Sequence, residues 1–136
     1  MSLITAIETL RGLNIPVPQP LRLPTEAEVT SAEQALGIHF LPDYRYYLLH
    51  GSDVVYGTLE PAVVTPDAGH LNLLEMVRDA RDSGLDSDLL PFCESNGDFY
   101  CLTPDARVVY WSHEGGNGEQ WDDLAQWIER VWINGE

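Results

Sequence analysis

The strongest constraint on the fold is a set of short strand-like runs separated by tight turns in the second half of the chain. The runs are rich in β-branched and aromatic residues and cover residues 89–94, 99–103 and 107–112. Asn96-Gly97 lies between the first two, and this dipeptide favours a two-residue type I′ turn. Thr103-Pro104-Asp105 supplies the second turn. The sequence therefore predicts an antiparallel β-meander.

The first turn also predicts a register. A two-residue turn pairs Ser95 with Asp98, Glu94 with Phe99, Cys93 with Tyr100 and Phe92 with Cys101. The two cysteines then lie on opposite faces, and a three-residue loop would place them on one face but only diagonally related, which is also poor geometry for a disulfide. We expect free, mostly buried thiols, as is usual in a reducing compartment. A zinc site is not expected, because no second Cys or His pair has ligand spacing.

Helix signals precede and follow the meander. Ser2 can cap a helix that ends at Gly12, and Thr25-Glu26-Ala27-Glu28 is a capping box for a helix to about Leu36. Pro42 starts a third helix. Apolar spacing predicts a fourth over residues 71–83 and a fifth from about Trp121. The side chains expected on the buried faces are, in order, Leu3, Ile4, Ile7 and Leu10; Val29, Ala32 and Leu36; Tyr44, Tyr47, Leu48 and Leu49; Leu71, Leu74, Val77 and Ala80; and Trp121, Leu124, Ala125, Ile128 and Trp132.

The segments between these helices are rich in proline. Residues 15–24 contain four prolines, which exclude a helix, and we interpret them as an ordered strap across the body; the alternative is a flexible linker. Residues 54–60 and 62–65 have the composition of short or edge strands. No βαβ unit repeats, so the sequence predicts an α+β fold with a mainly antiparallel sheet. The length predicts a single domain over residues 1–136, in which residues 1–23 form an N-terminal helix and the strap.

Charge narrows the range of partners. The 136-residue chain has 22 acidic residues against seven arginines and no lysine, which gives a net charge of −15. Such a field repels phosphate backbones and anionic lipid headgroups and attracts cationic proteins, so we expect no nucleic acid and no membrane partner. The absence of lysine excludes P-loop and Schiff-base chemistry. Because it has no long apolar run and no signal-like start, we expect the protein to be cytoplasmic.

No residue pattern indicates an active site. The segment 114–118 resembles a phosphate-binding loop only in its glycines, since it lacks the Lys-Ser/Thr ending of a P-loop, and we interpret it as a mobile connection before the last helix. No serine or cysteine lies in a nucleophile motif. The histidines stand singly in the sequence, as His39, His50, His70 and His113. We therefore expect that the protein is not an enzyme and that it binds no metal and no cofactor. We expect each histidine either to be hydrogen-bonded within the protein or to lie on its surface.

Acidic and aromatic residues concentrate toward the end of the chain. Residues 85–136 hold eleven acidic residues against two arginines, a net charge of −9, together with several tryptophans. Such a surface suits the capture of a basic protein, because charges steer the encounter and aromatic rings anchor the contact. The candidate partner-binding residues, expected to form one rim, are Trp111, Glu114, Glu119, Asp122 and Asp123. The alternative is that the acids only solubilise the protein and cap the last helix, and that the tryptophans are core.

Several short motifs occur in a characteristic order between about residues 24 and 132. They are Thr25-Glu26-Ala27-Glu28, the run 33–38 that ends Leu36-Gly37-Ile38, Leu41-Pro42-Asp43-Tyr44 before Gly51, the hairpin 90–102, the strand 108–113, and Trp121-Asp122-Asp123-Leu124 followed by Trp127-Ile128. In this order the chain resembles the SMI/KNR family of the SUKH superfamily. One departure is His50-Gly51, where the family pattern usually has Asn-Gly or Gly-Gly.

The resemblance implies an α+β fold with helices on one side of a mainly antiparallel sheet, and it carries over no catalytic site. Bacterial members are similar to immunity proteins that neutralise a cognate toxin, often a nuclease, and fungal relatives resemble scaffold-like regulators of cell-wall synthesis. We therefore expect a non-catalytic protein-binding domain, an immunity protein whose partner is a basic toxin domain. The alternative is a regulatory scaffold that binds a cellular enzyme.

Overall fold

The computed structural model describes residues 2–66 and 69–135, without the side chains of residues 70, 116 and 117, and confirms the α+β class. The expectation for His70 therefore lies outside the described side chains. The sheet is antiparallel, in the order β1-β2-β3-β4. The elements are α1 (Leu3–Leu13), α2 (Glu26–Leu36), α3 (Pro42–His50), a 3₁₀ turn (Gly69–Leu71), α4 (Leu73–Asp82), β1 (Leu90–Ser95), β2 (Asp98–Leu102), β3 (Val108–Ser112), β4 (Gly116–Trp121), α5 (Leu124–Trp127) and a π-helical turn (Ile128–Ile133).

The predicted amino-terminal caps of α1 and α2 form, but α1 does not end at Gly12: it continues to Leu13 and is capped by Asn14. Ser2 caps α1, and the Thr25 hydroxyl accepts the amide N–H of Glu28 at 3.1 Å while the Glu28 carboxylate accepts the Thr25 amide at 3.0 Å. Gly37, at φ 67°, ends α2 in the left-handed conformation. Arg22 also donates to both carboxylate oxygens of Glu28. This hydrogen bonding, first from Arg22 and then from the Thr25 amide, lowers the pKa of Glu28 to about 2.

The β1–β2 hairpin turns at Asn96 and Gly97, whose φ values of 54° and 86° fit the predicted type I′ turn. The first three predicted pairs form, ending with Cys93 opposite Tyr100. The predicted pairing of Phe92 with Cys101 is wrong, because a bulge shifts the register and Pro91 pairs with Cys101 instead. Proline has no amide N–H to give to the ladder, which favours an irregularity there. The two thiols are free and buried, as predicted.

The glycine-rich segment after β3 is an edge strand, so its interpretation as a mobile connection is wrong. Ser112 pairs with Gly116, and Val108 pairs with Trp121. A bulge opposite Tyr110 accommodates one extra residue of β4. Trp121, predicted near the start of the last helix, therefore ends a strand. The sequence concealed β4 because glycines and polar residues replace the apolar alternation that identifies a half-buried strand.

The two runs between α3 and α4 form no ladder in the described residues. Their backbone makes one isolated parallel bridge, between Val63 and Asn72. The second run, residues 62–65, is nevertheless buried. It is joined to β1 by a hydrogen bond from the Ala62 amide to the carbonyl of Phe92 at 2.7 Å. Pro61 and Pro66 lack amide donors, which limits pairing to this short stretch.

Two predicted helix faces need correction. In α4, Val77 and Ala80 are buried as predicted, but Leu74 is exposed, and Leu73 and Met76 complete the buried face of a helix that begins after the Asn72 cap. In α1, Ile4 is exposed and Ala6 takes its place in the core. The strap forms no helix, as predicted, but it packs only in part, because Ile15 and Leu23 are exposed whereas Val17 and Leu21 are half-buried.

Trp127 lies at the centre of the core, where helices and sheet meet. Its ring centroid is 4.8 Å from that of Phe92, 5.2 Å from that of Tyr100 and 6.2 Å from that of Trp132. The π-helical turn widens the last helix so that both Val131 and Trp132 are buried. The Trp132 indole N–H donates to the carbonyl of Tyr56 at 3.0 Å, which ties the end of the chain to the segment after α3.

Candidate partner-binding surface

Four of the predicted binding residues lie along one edge of the sheet, and we call Glu114, Glu119, Asp122 and Asp123 the acidic edge. Glu114 is in the β3–β4 turn, Glu119 is within β4, and the two aspartates follow the other end of that strand. Since a strand rises about 3.3 Å per residue, Glu114 and Asp122 lie at opposite ends of β4. The structure therefore distributes these carboxylates along a free strand edge, whereas one compact rim was expected.

The two aspartates have different environments. Asp123 is half-buried, and its carboxylate accepts the amide N–H of Gln126 at 2.8 Å, which caps α5. The carboxylate of Asp122 is exposed, and its backbone amide donates to the side-chain oxygen of Gln126 at 2.8 Å. Of the two aspartates, Asp123 therefore caps the last helix through its side chain. The side chain of Asp122 does not, and its carboxylate remains in solvent.

Trp111 is placed in the core, with 7% of its surface exposed. Its ring centroid lies 6.4 Å from that of Phe99, at an interplanar angle of 31°. Trp111 therefore supports the sheet and presents little surface to a partner. The aromatic side chains that remain half-exposed on the sheet are Tyr100 and Tyr110, whose ring centroids are 5.0 Å apart. Sequence reasoning overlooked them because it considered only the tryptophans.

A carboxylate–imidazole pair also lies at the β3–β4 end of the sheet. The Nδ1 atom of His113 is 2.8 Å from a carboxylate oxygen of Asp98, which also accepts the His113 amide N–H at 3.2 Å. These hydrogen bonds lower the pKa of Asp98. The pair could have been found from the predicted meander register, because pairing of Phe99 with Trp111 brings Asp98 to the end of β3.

The arginines are largely committed to partners away from the acidic edge. Arg11 pairs with Asp53 and Arg45 with Glu33, both at 2.8 Å, and Arg22 pairs with Glu28. Arg81 instead donates to backbone carbonyls in the loop before β1. Among the residues that the structure describes, no arginine forms an ion pair with the acidic edge. Arg107 donates to the side-chain oxygen of Gln120 in β4 at 3.4 Å, and the Nε2 atom of His113 lies 3.9 Å from a carboxylate oxygen of Glu114.

Comparison with known proteins identifies the family. A family model, SUKH_5, described as SMI1-KNR4 cell-wall, matches residues 3–133. The chain belongs to the SMI1-KNR4 family. Its fold is also similar to the crystal structure of a protein from Pseudomonas syringae pv. tomato, with a TM-score of 0.92 and 38% identity over 97% of this chain and 99% of that chain. No curated protein matches the chain.

Burial determines the reactivity of the two cysteine thiols in this SMI1-KNR4 domain. Burial raises the pKa values of the Cys93 and Cys101 thiols to about 12, so both stay protonated and poorly nucleophilic at neutral pH. In residues 2–66 and 69–135, no group of three or more His, Cys, Asp or Glu side chains could hold a metal ion. Over the same residues, no helix has the length and hydrophobicity that a membrane span requires.

Proposed function

We propose that this SMI1-KNR4 domain is a cytoplasmic, non-catalytic immunity protein that binds and neutralises a basic toxin domain. The observation that carries the proposal is the acidic edge, whose exposed carboxylates have no arginine partner among the described residues. The net charge of −15 and the family membership support it. A long-range negative field of this kind selects cationic proteins and repels nucleic acids.

The acidic edge acts mainly on the rate of encounter. Exposed charges accelerate association with an oppositely charged surface and contribute little to fold stability. Once bound, the immunity protein occludes or distorts the toxin domain. Because the effect is electrostatic and solvent-exposed, association slows as salt rises and the Debye length shortens.

The decisive experiment co-expresses the domain with a basic toxin domain, chosen from any that is encoded beside its gene. We expect restored growth and a stable complex of the two purified proteins. The variant Glu119→Gln/Asp122→Asn should lower the association rate about three- to tenfold at low salt and flatten its salt dependence. The matched control, Glu75→Gln/Asp82→Asn, removes two charges from α4 and should change the rate less than about twofold. Growth inhibition that persists despite equal expression would contradict the immunity role.

A second candidate is a regulatory scaffold that binds a cellular enzyme, and the cell-wall description of the matching family model favours it. This function predicts capture of an enzyme of wall synthesis from cells that contain no toxin. It also predicts altered sensitivity to wall-targeting antibiotics when the gene is deleted. An immunity protein gives neither result, so the two functions are separable.

A further inference from the structure

Strand β4 has an unpaired side. It is the last strand of the sheet, and among the described residues no backbone group of residues 116–121 forms a hydrogen bond with an element other than β3. Alternate residues of an edge strand direct their N–H and C=O groups away from the neighbouring strand. We propose that an extended, basic segment of the protein partner pairs with β4 as a fifth strand, an inference that rests on the proposed function.

The outer side of β4 is open and long enough to pair. The strand has six residues, which span about 20 Å, and residues 118–120 are exposed. Strand β1, at the other edge of the sheet, differs because it already receives the hydrogen bond from Ala62 on its outer side. A segment that adds to the sheet through backbone hydrogen bonds is therefore directed to β4.

Charge decides which strand can pair there. The exposed side chain of Glu119 lies within β4, and Glu114 and Asp122 lie beyond its two ends. Pairing with a second copy of this chain would bring like charges together across the two strands, since each copy has a net charge of −15. Exposed charge on an edge strand prevents such self-pairing, and the same charge favours a basic strand.

Gly118 leaves an aromatic ring uncovered next to this edge. A Cβ atom added at Gly118 would lie 4.0 Å from Cδ2 of Tyr110, so any longer side chain there would lie against the ring. Tyr110 is half-buried, and its hydroxyl is 3.4 Å from a carboxylate oxygen of Asp98 and 3.5 Å from the carbonyl of Ser95, which orients the ring. A guanidinium from the added strand can stack on this surface.

Glu119 lies near the same aromatic residues. Tyr100 pairs with Tyr110 across the sheet, and their ring centroids are 5.0 Å apart. The pKa of Tyr100 is raised, first by burial and then by neighbouring groups that include the carboxylate of Glu119. A carboxylate beside an accessible aromatic ring suits arginine better than lysine, because the planar guanidinium can stack and form hydrogen bonds at the same time.

The probe is a capped heptapeptide in which arginine alternates with threonine, titrated into the ¹⁵N-labelled protein at physiological salt. We expect saturable shifts and slower hydrogen exchange at alternate backbone amides of residues 116–121. Methylation of every second peptide nitrogen removes the donors along one edge of the peptide and leaves its charge unchanged. Of the two peptides methylated in this way, one should bind about tenfold more weakly than the parent, which corresponds to 1.4 kcal/mol, and the other within about twofold.

Three variants test the side chains of the edge. Glu119→Gln should weaken arginine-peptide binding about three- to fivefold, and the matched control Glu75→Gln, on the exposed face of α4, should change it less than about twofold. Gly118→Val covers the ring of Tyr110 and should weaken binding of the arginine peptide more than that of its lysine analogue. A thermal melt of each variant verifies that the fold is retained.

Two results would overturn the proposal. Equal binding of the two methylated peptides would mean that charge alone attracts them, without backbone pairing. A concentration-dependent dimer with slowed exchange at residues 116–121 would assign the edge to a second copy of this chain.

The same measurements separate the proposal from the proposed function when the basic toxin domain replaces the peptide. A complex that forms without slower exchange in β4 contradicts strand addition and leaves the immunity role standing. Strand addition by the arginine peptide without protection from the toxin contradicts the immunity role and leaves strand addition standing.

Discussion

The two edge strands of the sheet are built in opposite ways. Strand β1 is buried from Leu90 to Cys93, pairs with β2 through a hairpin set by local turn chemistry, and receives a further hydrogen bond from Ala62 on its outer side. Strand β4 contains two glycines, is exposed from Gly118 to Gln120 and pairs only with β3. Strand β1 is therefore part of the core, whereas the backbone of β4 is accessible on its outer side.

This difference separates stability from recognition within one small sheet. Side chains of the β1–β2 hairpin contribute to the aromatic core around Trp127, where substitutions create cavities or strain. In β4 the side chains of Glu119 and Gln120 are exposed and only Trp121, at the end of the strand, is buried among the described side chains, so a charge at position 119 can change during evolution at little cost to folding. The contrast leads to three paired measurements. Two compare a position in the hairpin with a position in β4, and the third compares the two adjacent aspartates that follow β4.

The largest difference is expected in thiol reactivity. Burial raises the pKa of Cys93 and Cys101 to about 12, whereas a cysteine introduced by Glu119→Cys is exposed and should titrate near its ordinary value of about 8.5. Lower thiolate content alone makes the two native thiols at least about 1,000-fold slower toward an aromatic disulfide reagent at pH 8.

The pH dependence provides an independent check of the same pair. Because a raised pKa leaves the thiol protonated, labelling of the native cysteines should rise about tenfold per pH unit up to about pH 11, as long as the fold persists. Labelling of the Glu119→Cys thiol should level off above about pH 9. Equal rates for all three thiols in the folded protein would mean that the β1–β2 hairpin is not the buried edge.

An intermediate difference is expected for glycine substitution. Gly97 has φ 86°, so Gly97→Val forces a β-branched residue into the left-handed region and should cost about 1–3 kcal/mol. Gly118 lacks a positive φ, and an added Cβ would meet the Tyr110 carbonyl at an ordinary 3.6 Å. Gly118→Val should therefore change the free energy of unfolding by less than about 0.5 kcal/mol. Chemical denaturation measures both, and similar losses would contradict the comparison.

The elements predicted best are those specified by neighbouring residues. The capping box at Thr25 and the turn at Asn96-Gly97 each contain their own hydrogen-bonding or backbone requirement, so the sequence alone sufficed. Strand β4 could not be predicted in the same way, because its pairing is supplied by β3 and not by its own composition. The bulge at Pro91 was missed because register was extended from the turn without allowing for the missing amide.

The residues of the candidate site were chosen by their composition, their arrangement comes from the structure, and their role in binding stays a prediction. Counting charges located the acidic residues of the β4 region, yet only the structure shows that Trp111 is core and that the carboxylates extend along an edge. The cavity of about 300 Å³ lined by Thr58, Asp79 and Phe99 could not be predicted from the sequence, because it joins residues from the segment after α3, from α4 and from the sheet. Contacts of such long sequence separation leave no local pattern.

The smallest difference concerns the adjacent aspartates that follow β4. Asp123→Ala removes the oxygen that accepts the Gln126 amide and should lower the free energy of unfolding by about 0.5–2 kcal/mol. Asp122→Ala removes an exposed carboxylate and leaves the backbone bond to Gln126 in place, so its effect should stay within about 0.5 kcal/mol. Asp123→Asn retains a capping oxygen and should recover most of the loss. If Asp122→Ala costs as much as Asp123→Ala, the β4 edge contributes to folding beyond its one pairing neighbour, and the division between a buried and an accessible edge fails there.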